Sequence, residues 1–216
     1  MTSRALFRWA AAALGVTAVS LTVGLVFHPM PPYSASVATS QWAIAHLFWW
    51  LGALAGMAGL AGLYLQQRQQ VGVLGFAGSA LAVLGLALIA CAMFFEAFIA
   101  PSIATRAPAL FDSFPAGGGW EGFLAGVLAS GALFGLGFLL FGATMWRAGV
   151  MPRWAILLAV VGGLPFAVNF LLPRPVAILA VTLHAAGLLG LAYGLWHAAE
   201  SGAGAARYAE AEAGRR

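Results

Sequence analysis

Lysine is absent, and cysteine occurs once, at Cys91 in an apolar run. A lone thiol excludes an intramolecular disulfide and any CxxC-type metal or redox motif. Charge of either sign is scarce: six residues are acidic, the ten basic ones are all arginine, and together they make 7% of the 216 residues. With 62% of the chain hydrophobic, the composition excludes a soluble globular domain. The arginines sit in connections and tails instead of a stripe, so the net charge of +4 carries no nucleic-acid footprint. It reports orientation in a bilayer.

What is present is a series of apolar runs, each at least the ~20 residues that a membrane crossing needs. They predict an all-α, polytopic membrane bundle of six transmembrane helices, over residues 8–27, 42–65, 71–100, 121–144, 153–172 and 176–197. The bundle forms one domain, residues 1–198, followed by a disordered cytoplasmic tail, 199–216, rich in Ala, Gly, Glu and Arg. The first run follows Arg4 and Arg8 and reads as a retained signal anchor, since no small-residue cleavage site closes a short core. Residues 66–70, with Arg68, read as a tight turn, and the segment from Pro101 to Gly119 reads as an irregular loop. Pro165 is expected to kink the fifth helix. Glycines at helical spacing, such as Gly52, Gly56 and Gly59, supply faces for close helix packing, for a second copy or for a partner membrane subunit.

With this topology, Arg4, Arg8, Arg68, Arg147, Arg153, Arg207, Arg215 and Arg216 fall on one side and only Arg106 and Arg174 on the other. Basic residues stay inside. Both termini are therefore expected in the cytoplasm, with the protein a multi-pass component of the bacterial inner membrane.

Glu96 stands near the end of the third run, where an ionisable residue is costly and marks a candidate site. Glu96 and His46 each lie ~6 Å below the outer ends of their helices, and His184 ~12 Å down the sixth. Asn169, Ser130, Glu121 and His28 also belong to the outer half, while the inner half holds almost nothing ionisable. The pattern predicts an outward-facing polar pocket of His46, Glu96, His184 and Asn169, flanked by Trp42, Trp49, Trp50, Phe94 and Phe95. Such a pocket suits a small ligand, an ion or a partner helix, and no enzyme motif goes with it. The pattern identifies no cofactor. An alternative reading uses His46, Glu96 and His184 as ligands of a first-row metal, or the two histidines as axial haem ligands.

Two resemblances complete the reading. The runs ASGALFG (129–135) and HAAG (184–187) resemble the serine and histidine segments of rhomboid proteases. That resemblance implies intramembrane proteolysis with Ser130 as nucleophile and His184 as its base. The chain departs from the rhomboid pattern at Leu128 and Trp50. Residues 96–101 (EAFIAP), 107–108, 137–142 and 147–154 (RAGVMPRW), within a stretch of about 90–197, resemble a group of uncharacterised six-helix bacterial membrane proteins. This second resemblance implies fold and location and no activity.

Overall fold

The computed structural model describes residues 2–29, 33–113, 120–168 and 171–201. Among them every regular element is helical: α1 (Ser3–Phe27), α2 (Ser34–Val37), α3 (Ser40–Phe98), α4 (Ala100–Arg106), α5 (Pro108–Asp112), α6 (Glu121–Ala148), α7 (Arg153–Phe166) and α8 (Arg174–Glu200). Four of these, α1, α3, α6 and α8, are long and apolar enough to cross a membrane.

The 59 residues of α3 would run ~90 Å if straight. They do not, because Gly72 takes φ 62° and ψ −160°, a conformation open to a residue without Cβ. The chain folds back there into two antiparallel arms. Tyr64 meets Phe76 at 5.7 Å and Trp50 meets Phe94 at 6.0 Å between ring centroids, and at the far ends Trp42 reaches Glu96. The reversal therefore lies at Gly72 and not in residues 66–70. Gln and Arg are good helix formers, so those residues extend the first arm. Gln66 and Gln67 are buried within it, and Gln67 Nε2 donates to the Leu63 carbonyl at 3.2 Å.

α1 packs between α3 and α8, α6 against α3, and α7 against α8. The seam between α6 and the second arm of α3 is backbone against backbone. A Cβ on Gly78 would stand 2.6 Å from the Phe141 amide nitrogen, and one on Gly137 would overlap the Ala82 backbone. Above the bundle, Val37, Trp42, Ala100, Ala104 and Phe111 form a second, smaller apolar cluster that joins α2, α4 and α5 to the start of α3. Asp112 Oδ1 accepts from the Ser34 amide at 3.1 Å and ties this cap together.

Three further boundaries differ from the sequence expectation. Residues 101–112 are mostly helical, because Pro101 and Pro108 stand in the first turns of α4 and α5, where a missing N–H costs nothing. Pro165 stops α7 one residue later instead of kinking it, which leaves 14 residues, ~21 Å long. α8 continues to Glu200, past the expected boundary at 198, with Trp196 Nε1 donating to Glu200 Oε1 at 2.7 Å and Arg4 Nε to the Ala199 carbonyl at 3.3 Å. The expected tail from 202 onward, together with Pro115 and Gly117–Gly119, lies outside the described residues.

Arg174, at the start of α8, donates to the Leu25 and His28 carbonyls, both at 3.2 Å. These are among the carbonyls that the end of α1 leaves without a helical partner, and a cation there also meets the negative end of the helix dipole. Arg174→Met is expected to lower stability by ~1 kcal/mol, discounted for the exposure of the guanidinium, with Arg174→Lys restoring part of it. Thermal unfolding followed by tryptophan fluorescence measures this; equal midpoints for wild type and Arg174→Met would remove the capping role.

Candidate functional site

At the capped end of the bundle, four rings from two helices meet. Trp42, His46 and Trp49 share one face of the first α3 arm, one and two helical turns apart. His28, which caps α1, stacks into them. Its ring centroid is 4.8 Å from Trp42, 5.1 Å from His46 and 5.0 Å from Trp49. Trp49 Nε1 donates to the Leu21 carbonyl at 3.2 Å and anchors the cluster to α1. His46 Nδ1 lies 2.9 Å from the Trp42 carbonyl, which can only accept, so Nδ1 is the protonated nitrogen.

Glu96 comes from the second arm. It is 9% exposed, and its Oε2 accepts from Trp42 Nε1 at 3.2 Å. Thus a carboxyl and an indole 54 residues apart in sequence form the polar corner of the fold.

Burial first, then the adjacent His46 and Arg174, push the His28 imidazole down to about 3. Below the ordinary histidine value of about 6.5, the unfolded chain takes up a proton that the folded one refuses. The stability held above that pH is therefore lost as pH falls, by ~1.4 kcal/mol for each unit. Acidification from about pH 6.5 to 5 is expected to cost about 2 kcal/mol through His28 alone. His28→Asn should flatten the profile of unfolding midpoint against pH; a slope unchanged by that substitution would take His28 out of the buried cluster.

Below this corner runs a cavity of about 340 Å³, at the lower end of the range for ligand pockets. Its lining includes His28, Trp42, His46, Trp49, Glu96, Ser130, Arg174 and His184, and is otherwise mainly apolar, with Leu21, Leu60, Leu86, Ile89 and Phe138 among the walls. The residues singled out in the sequence divide as follows. His46 and Glu96 stand together at the Trp42 end. His184 lines the same cavity ~15 Å further along α8 from Arg174. Its ring is stacked on Phe166 and edged by Phe134 and Phe138, and its Nδ1 donates to the Ala159 carbonyl at 2.7 Å. Asn169 lies outside the described residues. Trp50 packs on Phe94 and Phe98 and, like Phe94 and Phe95, is not part of the lining.

Among the described residues no group of three His, Cys, Asp or Glu side chains could hold a metal ion. His46, Glu96 and His184 line one cavity without forming such a group. The proposed protease pair is not joined either. Ser130 lines the cavity, but its Oγ donates to the Val127 carbonyl at 2.7 Å, while His184 Nδ1 is committed to Ala159. No hydrogen bond links them among the described residues.

Sequence reasoning left three members of the site out of the pocket. Arg174 carried a usable signal, as one of two arginines on the side that should hold few. His28 stood in the outer half but outside any predicted helix. Trp42 was visible only as a flanking aromatic, because its tie to Glu96 depends on the hairpin.

The long apolar helices fit a membrane protein. No protein-family model, curated protein or solved structure matches the chain.

Proposed function

We propose that this chain is a six-span protein of the bacterial inner membrane that binds a small ligand in the cavity beneath Glu96 and carries out no chemistry on it. The six crossings are α1, the two arms of α3, α6, α7 and α8. Support for the count comes from the reversal at Gly72, which divides α3 into two arms of membrane-spanning length. Support for cytoplasmic termini comes from the arginines: Arg8 stacks over Trp196 at 4.3 Å and Arg153 over Trp146 at 5.5 Å, at the end of the bundle away from Glu96. In this orientation the polar corner faces outward.

The observation that carries the binding function is the cavity itself, lined by the Glu96 carboxyl and by the rings of His28, Trp42, His46, Trp49 and His184. A packed bundle gains nothing from leaving such a space, since each unfilled volume forfeits contacts. The test is native mass spectrometry of protein extracted from its own membrane in mild detergent. A bound small molecule is expected on wild type and is expected to be lost in Ile89→Trp, which fills the wall. Bare protein in both cases, with Ile89→Trp more stable than wild type, would mark the space as a packing defect.

A further inference from the structure

Resting on that reading, we infer that the ligand is a single-chain amphiphile with an amine head, taken from the bilayer, its ammonium on Glu96 and its chain in the apolar shaft.

The head follows from which hydrogen-bonding groups are already used. At the polar end, Trp42 Nε1 is spent on Glu96, His46 Nδ1 on the Trp42 carbonyl and Trp49 Nε1 on the Leu21 carbonyl. Arg174, the one arginine on the lining, is spent on the ends of α1. These groups are thus engaged within the protein, whereas Glu96 receives a single hydrogen bond and, among the described residues, no ion pair. An acid inside a membrane bundle ordinarily finds a partner. Here the carboxyl lines the cavity with room left on it to receive a donor. An anionic head would meet the carboxyl, while two of the Arg174 N–H groups are already given to the end of α1.

The chain follows from shape. Along α1 the lining extends from His28 to Leu14, ~21 Å of helix rise, yet the volume is only about 340 Å³. A mainly apolar lining of that length suits an extended hydrocarbon chain. The route follows from Leu124, which lines the cavity and is 36% exposed.

The experiment uses the full chain in nanodiscs of zwitterionic lipid, with dodecylamine, dodecanol and dodecanoate as probes, followed by tryptophan fluorescence and native mass spectrometry. Dodecylamine is expected to bind saturably about tenfold more tightly than dodecanol, and Glu96→Gln to erase that tenfold advantage, ~1.4 kcal/mol, while both probes still bind. Ile89→Trp should weaken both, which keeps the proposal testable if Glu96→Gln does not fold. Equal affinity for amine and alcohol, or a preference for dodecanoate, would overturn the head assignment and leave the binding cavity standing. Failure of all three probes to saturate, together with bare protein from native membranes, would overturn the cavity reading as well.

Discussion

Gly137→Val is expected to prevent recovery of folded protein. The methyl groups would enter the backbone of Ala82 on the second α3 arm, and Gly78 and Gly85 on that arm lie equally close to the backbones of Phe141 and Phe134 on α6. Overpacking against a side chain costs ~1–3 kcal/mol because the side chain can turn aside. A peptide group inside a helix cannot, so the two helices must separate along the seam, and the loss should exceed that range. In a membrane this is most of what holds them, since association there rests on close van der Waals contact. The control is Gly126→Ala on the same helix, where a Cβ meets nothing within 4 Å. It should gain up to ~1 kcal/mol from helix propensity. Size-exclusion profiles and unfolding midpoints of the two variants decide the matter; a Gly137→Val protein that remains monodisperse with a midpoint near wild type would contradict the seam.

The second large effect concerns Glu96. Glu96→Ala leaves the indole N–H of Trp42, itself 4% exposed, without an acceptor in a buried corner. A stranded donor costs ~1–3 kcal/mol, and the space left by the side chain adds to it. Glu96→Gln keeps an oxygen for Trp42 and removes a group that is expensive to desolvate when charged. It is expected to fall within ~0.5 kcal/mol of wild type or to be more stable. Tryptophan fluorescence serves as the probe twice, as the unfolding signal and, through the shift in Trp42 emission, as a local report. Equal losses in both variants would mean that the charge itself, and not the hydrogen bond, holds the corner.

These expectations show which parts of the molecule were readable in advance. The long helices were, because an apolar run of membrane length has few other fates. Glu96 was, because a carboxyl stands out against such a run. The reversal was misplaced by a few residues because Gln66, Gln67 and Arg68 look like a solvated turn, whereas the backbone turns where one glycine permits positive φ. Proline signals a break without saying whether it ends one helix or begins the next, so the sequence does not distinguish the short helices α4 and α5 from loop. His184 was placed correctly along its helix, but its partners Phe134, Phe138 and Phe166 come from α6 and α7. Only packing decides that these phenylalanines, and not Glu96 or Ser130, surround the imidazole.

The turn at Gly72 also acts as a ruler. With one residue joining the arms, the length of each arm alone sets which residues stand opposite one another, and no slack loop can absorb an error. One extra residue anywhere between 73 and 95 would advance Glu96 by ~1.5 Å and swing it ~100° about the helix axis. The carboxyl would then leave Trp42. The polar corner is thus counted out along the chain, residue by residue from the bend, so that arm length is as much a part of the site as the side chains that compose it.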